Sequence, residues 1–492
     1  MKRAAAPCRV ATATATGQAV TVADPQPTSR DADHFSELGQ SGSELGVVDR
    51  GRFGLPTPLY LANHTPPTRD RAIDVLRIGS LLVVVAGHGL MLLVIFDKDG
   101  LHLDNLLGHS ELFQALTWLL QVLPLFFFAG AAASLNGARS GRSWGAWLFS
   151  RTQRLYRPVF YYLAFWLFVA LPLLTLSDAP TLVAPVIRTG VQLLWFLGLY
   201  LVVLATLPLL GRITTARALW TLVGGLCVVM AAVDAIRLSG FDEFVGFTNF
   251  LWVWLIPAVI GVGYAQKLIS RRTAAYGALA AFAVDTALVS LGPYELSLVS
   301  VPGERLSNMT PPSLLLAGHC LVLCLLAIAV APWLDRWARR ARVWWAVAVG
   351  NSGAMTLYLW HLPALMIVMG VSHALGHDRS FPGQPGFVQL LFLQMIVFFA
   401  LTALLFMLLL PLEDRPLPWW DAAVAEIRGS RSVIVGVSLT LAGMGTLGLA
   451  GLGLTPPGIL VIAIVLTLLA VARAVTLRVS GARVRRTATQ TP

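Results

Sequence analysis

Charged residues are scarce in this chain of 492 residues. They make up 12% of the chain, about half the share of an average soluble domain, whereas 56% of the residues are apolar. The mean hydropathy is +0.72. A chain with so few charges cannot cover an ordinary water-soluble domain with polar surface. The composition therefore indicates an integral membrane protein and predicts an all-α polytopic fold.

Cysteine is equally scarce, and its positions do not suggest a disulfide or metal framework. Cys8, Cys227, Cys320 and Cys324 include no Cys-x-x-Cys motif and no two separate cysteine pairs of the kind that ligate zinc. Three of the four fall in apolar runs, where a thiol acts as a small core residue. The sequence also lacks a Gly-rich phosphate loop, a solenoid repeat and a defensible inverted repeat. We therefore predict no bound metal and no permanently bound cofactor.

Twelve apolar segments, each near the length that crosses a bilayer, follow a polar N-terminal stretch. Residues 1–64 are rich in Ala, Thr, Ser, Pro and Asp without apolar periodicity, which predicts a disordered tail. The last two segments, joined by a Pro-Pro-Gly sequence, could instead form a re-entrant pair. The predicted spans are 72–96, 112–136, 156–176, 190–210, 217–235, 249–268, 274–292, 312–332, 345–371, 387–412, 432–453 and 457–475.

Basic residues are concentrated in alternate connections between these segments, and the other connections are mostly acidic. This alternation predicts a plasma or inner membrane location with both termini in the cytoplasm. It also explains the net charge of +11 without a nucleic-acid partner. The few basic residues predicted on the outer side are Lys98, Arg188, Arg237, Arg305 and Arg379.

The first apolar segment carries an arginine and a histidine, Arg77 and His88. Eleven residues are about three helical turns and a rise of about 16 Å, so both side chains project from nearly the same face. Arg77 is then predicted near one membrane surface and His88 near the midplane. An ionisable residue at that depth is a functional candidate, although a histidine that only bonds two helices together is an equal alternative.

The loop before the third segment carries five arginines and no acid. The positive-inside rule by itself predicts basic residues there. It does not predict Arg151-x-x-Arg154, which places two guanidinium groups one turn apart at the start of a span. Two guanidinium groups at this spacing suit a phosphate or pyrophosphate, because each can form a fork onto oxyanions.

These motifs resemble those of the membrane-bound acyltransferase 3 family. Asp74-x-x-Arg77, followed after ten residues by His88, is similar to the family's opening signature. Further similarities follow in the family's order over about residues 69–416. They are the Phe-rich segment 125–130, Arg151-x-x-Arg154, Trp195-Phe196, Tyr358-Leu359-Trp360-His361-Leu362-Pro363 and the ending around Glu413.

The resemblance implies a ten-helix acyltransferase core that uses cytoplasmic acyl-coenzyme A, expected to be acetyl-coenzyme A. His88 would be the general base, and Arg77 would hold phosphate or the developing oxyanion. Arg151 and Arg154 would hold the donor's phosphates. The acceptor would be a hydroxyl of a cell-envelope glycan, a lipid or a small molecule. Direct transfer and an acyl-histidine intermediate both remain open. Supporting candidates are Asp74, Trp195, Asp285, Ser352, Tyr358, His361 and Glu413.

The chain departs from this family pattern in two ways. It adds two spans to the core and carries none of the soluble esterase-like domains that some members have. The predicted organisation is a tail at 1–64, a ten-span membrane domain at 65–416, an amphipathic linker with two further spans at 417–475, and a basic cytoplasmic tail at 476–492.

A secondary transporter is the alternative interpretation, because twelve spans with both termini inside are common among transporters. Arg77, His88 and Asp285 would then form a proton or substrate relay. The absence of matching broken helices in the two halves of the sequence argues against a transporter.

Overall fold

The computed structural model describes residues 56–97, 100–176, 180–240, 244–301, 306–379 and 381–477. Most of the predicted N-terminal tail and of the basic C-terminal tail lies outside these ranges. Several loop charges used to predict the topology also lie outside them. These are Lys98, Asp99, Asp178, Asp242, Glu243, Glu304, Arg305, Arg478, Arg483, Arg485 and Arg486.

Helices form nearly all of the described chain, and two short strands form its one named sheet. We number the helices and strands in chain order. The helices are α1 Pro58–His64, α2 Arg71–Met91, α3 Glu111–Leu120, α4 Pro124–Ala138, α5 Trp144–Leu176, α6 Pro180–Gln192, α7 Leu194–Leu210, α8 Ala216–Leu238, α9 Asn249–Ala265, α10 Arg271–Leu291, α11 Leu314–Ala338, α12 Ala341–Ser352, α13 Ala354–Ala374, α14 Phe387–Asp414, α15 Pro418–Asp421, α16 Ser430–Leu452 and α17 Pro456–Leu477; the strands are β1 Leu92–Asp97 and β2 Gly100–Asn105.

Eleven helical segments in the described ranges are long and apolar enough to cross a membrane. They coincide with eleven of the twelve predicted spans, and the remaining span, 156–176, lies inside the 33-residue helix α5. The predicted all-α polytopic class is therefore confirmed. The re-entrant alternative for the last two spans does not hold, because α16 and α17 have 23 and 22 residues and are each long enough to cross.

The first predicted span extends too far. Helix α2 ends at Met91, and the following residues form β1, which pairs antiparallel with β2. Val94, Ile95 and Phe96 belong to the β-branched and aromatic types that favour strands. Apolar character alone did not distinguish the end of the helix from the start of this hairpin.

The end of the predicted disordered tail is also different, because residues 58–64 form helix α1. Thr57 caps the helix by accepting a hydrogen bond from the Tyr60 amide, and Leu61 is buried. Trp344 of α12 donates to the Thr65 hydroxyl at 2.6 Å. The contact with α12 orders a segment whose composition favoured disorder.

The predicted ninth span is divided into α12 and α13 at Gly353. Helix α12 runs parallel to α2: near the start of both helices the Arg71 guanidinium lies 4.6 Å from the Trp344 ring centroid, and further along both Ile78 packs on Gly350. The Asn351 side-chain amide also donates to the Asp74 carbonyl at 2.9 Å. This packing aligns the start of α13 with the middle of α2.

The first of the two additional spans, α16, packs directly on helices of the core. Gly198 of α7 and Gly443 of α16 meet backbone to backbone, and a side chain on Gly198 would overlap the Gly443 carbonyl. Close backbone approach at small residues is typical of helix packing in membranes. Tyr156 of α5 and Thr446 of α16 also share a hydrogen bond of 2.8 Å.

Candidate active site

The packing of α2 beside α13 brings two histidines together. His88 Nδ1 lies 2.9 Å from His361 Nε2, and the ring planes are within 8° of parallel. The ring centroids are 5.1 Å apart, which is nearly the N–N distance plus the distance from each nitrogen to the centre of its own ring. The two nitrogens therefore lie almost on the line that joins the ring centres. The rings therefore meet edge to edge in nearly one plane, which is the orientation that a hydrogen bond between them needs.

A backbone carbonyl sets the direction of this hydrogen bond. His361 Nδ1 lies 2.7 Å from the Tyr358 carbonyl oxygen, which can only accept, so His361 donates from Nδ1. A neutral His361 then accepts at Nε2, and His88 donates from Nδ1. His88 Nε2 keeps its lone pair and has no hydrogen-bond partner in the described part of the chain. In this tautomer His88 Nε2 can accept a proton.

The two rings differ in exposure. His361 is completely buried, whereas His88 is half-buried. His88 lies in the last turn of α2, because the helix ends at Met91. The sequence predicted His88 well inside a longer span, so the structure corrects its place along the helix. The accessible member of the pair is the one with the unpaired nitrogen.

Arg77 lies in the first third of α2 and is half-buried. Its guanidinium forms no hydrogen bond or ion pair within the described ranges. Asp74, one turn earlier, pairs with Arg69 instead, which donates from Nε and Nη2 to the two carboxylate oxygens at 2.7 and 2.8 Å. Asp74 therefore holds Arg69 at the start of α2 and forms no ion pair with Arg77 in the described ranges.

Tyr358 supports the pair from the same helix. Its hydroxyl donates to the Leu193 carbonyl at 2.6 Å, which ties α13 to the start of α7. Phe196 packs on Tyr358, with ring centroids 5.4 Å apart. Trp195 faces α9, where its ring centroid is 6.0 Å from that of Trp254.

Glu413 anchors the N-terminal end of the same helix. Its carboxylate accepts hydrogen bonds from the backbone amide and the hydroxyl of Thr356, at 2.9 and 2.6 Å, in the first turn of α13. An acid near a helix N-terminus is stabilising. Arg157 donates to the Glu413 carbonyl and forms a two-fold ion pair with Asp421. Glu413 therefore acts on the histidine pair only through the position of α13.

The two donor-binding candidates lie in the first part of α5. Arg151 is half-buried, with Nη2 beside Gly137 at the end of α4, and Arg154 is exposed. The helix places their side chains one turn apart, as the spacing predicted.

Two further candidates lie apart from the histidine pair. Ser352 is exposed, and its hydroxyl donates to the Val349 carbonyl of its own helix. Asp285 is completely buried on α10 beside Gly318, and neither carboxylate oxygen has a hydrogen-bond partner in the described ranges. Within those ranges, no hydrogen bond or ion pair joins Asp285 to Arg77 or His88.

The fold and the site define a polytopic membrane protein with a polarised histidine pair between two of its helices. Residues 70–411 match the family model Acyl_transf_3, described as an acyltransferase domain. The match covers more than half of the chain, so this chain belongs to the acyltransferase 3 family and is a membrane acyltransferase. No curated protein and no solved structure matches the chain.

Sequence reasoning missed several of the charged residues that join the elements around the histidine pair. It gave no partner to Asp74, although Arg69 lies only five positions away. It treated Arg157 as one more loop charge, and Arg379 as an outer-side exception to the charge pattern. A charged residue whose role depends on one distant partner leaves no periodic signal in the sequence.

Proposed function

We propose that this protein transfers an acyl group from cytoplasmic acyl-coenzyme A to a hydroxyl group on a cell-envelope glycan, a lipid or a small molecule. Acetyl is the expected acyl group. The family supports acyl transfer in general. The observation that carries the finer proposal is the unpaired Nε2 of His88, since a hydroxyl acceptor needs a base.

In the proposed reaction, the acceptor hydroxyl gives its proton to His88 Nε2. The acceptor oxygen forms a bond to the thioester carbonyl carbon, and the carbon–sulfur bond then breaks. The leaving thiolate takes the proton from His88, so that the products are the acyl ester and coenzyme A. Direct transfer needs only this one base. In the alternative, Nε2 itself attacks the thioester and carries the acyl group to the acceptor.

His361 supports the base in two ways. Its contact with His88 Nδ1 fixes the tautomer that leaves Nε2 unprotonated. When His88 takes up a proton, the same hydrogen bond becomes charge-assisted and therefore stronger. The Tyr358 carbonyl accepts a hydrogen bond from His361 Nδ1 and so keeps the His361 proton on that nitrogen.

The arginines supply the positive charge that the donor and the transition state require. Arg151 and Arg154 would hold the phosphates of coenzyme A by forked hydrogen bonds. Arg77, half-buried on the helix that carries His88, would hold a phosphate or the developing oxyanion.

The direct test measures coenzyme A release from acetyl-coenzyme A by the purified protein in detergent. We expect slow hydrolysis without an acceptor and faster release when the acceptor is added. Comparison of acylated envelope glycans and lipids between a deletion strain and its parent would identify that acceptor. If a stable preparation neither binds nor turns over acetyl-coenzyme A, the proposed donor is wrong.

A further inference from the structure

Arg379 is a buried cation next to the turn that carries His88. It lies in the connection between α13 and α14 and is only 2% exposed. Its Nη2 donates to the Gly89 carbonyl at 3.0 Å and also to the Leu92 carbonyl. These two carbonyls lie at the C-terminal end of α2, directly after His88.

The last turn of an α-helix has carbonyls without partners inside the helix. In α2 the Leu92 amide donates to the His88 carbonyl, and Arg379 satisfies the carbonyl of the next residue, Gly89. A cation at this end also interacts favourably with the helix dipole. Burial lowers the pKa of Arg379 to about 10, so the side chain remains charged at neutral pH. Arg379 is therefore a charged cap on the turn that holds His88.

A second contact holds the same turn from the side. A Cβ atom on Gly89 would lie 2.8 Å from the Phe398 ring and 2.9 Å from the Met395 sulfur, both on α14. Helix α14 therefore packs directly on the backbone of this turn. Arg379 therefore binds the carbonyls at the end of this turn, and α14 packs on its side.

An ion pair does not explain why Arg379 is buried. No acidic side chain pairs with it in the described part of the chain, and its Nε and Nη1 have no hydrogen-bond partner there. Burying a cation without an acid is costly. The hydrogen bonds that Arg379 makes go to the backbone at the end of α2, which points to a role at that end.

We propose that Arg379 is a positioning residue that holds the last turn of α2 and thereby fixes His88 against His361. The inference rests on the proposed role of His88 as the base. A general base must lie within hydrogen-bond reach of the proton it takes. A misplacement of about 1 Å can lower the rate by about 10²-fold.

The test compares Arg379→Gln with Arg473→Gln. Arg473 is a matched control because it is also a buried arginine, 3% exposed, that donates to a backbone carbonyl, that of Trp419. Two readouts are used: kcat and KM for acetyl-coenzyme A, and hydrogen–deuterium exchange of the peptide that covers residues 86–92. The exchange measurement needs no enzymatic activity.

We expect Arg379→Gln to lower kcat by about 10–100-fold with little change in KM, and to speed exchange at the end of α2. Arg379→Lys should recover part of kcat, because it keeps the charge and one donor. Arg473→Gln should leave both readouts near parental values. Parental exchange and kcat in Arg379→Gln would overturn the inference. If the parental protein shows no acyl transfer, the proposed function fails, and the exchange result still decides whether Arg379 holds the turn.

Discussion

His88 and His361 lie 273 residues apart in the sequence, yet their Nδ1 and Nε2 atoms are 2.9 Å apart. Neither histidine reveals its role alone, since each could simply bond two helices together. The Tyr358 carbonyl distinguishes the two rings, because it accepts from His361 Nδ1 and so leaves the lone pair of His88 on Nε2. This difference is the basis of the proposal that His88 is the base and His361 its support.

The first prediction concerns His88. His88→Gln keeps a similar volume and a hydrogen-bonding group, but its amide does not accept a proton near neutral pH. We expect parental insertion, stability and acyl-coenzyme A binding, with a loss of about 10²–10⁴-fold in turnover. The measurement is turnover at saturating donor, together with thermal stability in detergent. An active and stable His88→Gln protein would remove His88 from the mechanism.

His361→Gln is the internal comparison. An amide at this position can still accept from His88 Nδ1, so we expect a smaller loss of turnover than for His88→Gln. If the two variants lose activity in the reverse order, the assignment of base and support is reversed.

The second prediction concerns the donor site. Arg151→Ala and Arg154→Ala should each weaken acyl-coenzyme A binding, and Arg151→Lys should restore it only partly, because lysine lacks the fork. Arg142→Ala is the control, since Arg142 is an exposed arginine of the same loop. Calorimetric titration would measure the affinities. Equal affinities in all these variants would mean that the arginines serve only membrane topology.

The third prediction concerns the ion pair at the start of α2. The Asp74 side chain is 5% exposed and that of Arg69 is 38% exposed. We therefore expect Asp74→Asn to cost about 1–2 kcal/mol, less than the loss of one partner from a fully buried pair. Because the two side chains act together, Arg69→Gln with Asp74→Asn should be little worse than Asp74→Asn alone. Additive losses of thermal stability would show that the two residues are not coupled.

The fourth prediction concerns the additional spans. Gly198→Ala should destabilise the protein, because its methyl group would overlap the Gly443 carbonyl of α16. Gly225→Ala is the matched control, since a Cβ there meets nothing within 4 Å. Thermal unfolding in detergent should separate the two variants. Equal stability would indicate that α16 does not need this close contact with α7.

The fifth prediction concerns topology. Reporter fusions at Arg142, at Arg340 and at the C-terminus should report the cytoplasm, because the positive-inside rule places the basic loops there. Fusions near Asp104 and Glu304 should report the outer side. A reporter that lands on the opposite face would reject the twelve-span arrangement.

The sequence alone determined the spans and their class. Crossing a bilayer requires about 20 consecutive apolar residues, and this requirement is local, so composition within each segment was sufficient. The ends of segments were less certain. The strand after Met91, helix α1 and the break at Gly353 each depend on packing with other parts of the chain, which local hydropathy does not record.

Only the tertiary structure decided which candidates act together. The sequence named His88, His361, Asp285 and Ser352 on similar grounds, yet the fold joins the two histidines and leaves Asp285 and Ser352 apart from them. Likewise, it joins Asp74 to Arg69 and leaves Arg77 without a protein partner in the described ranges. Helical periodicity fixes the face on which a side chain lies, whereas its partner depends on how distant helices pack. The histidine pair exists because α13 follows α2 in parallel, and no short stretch of sequence records that packing.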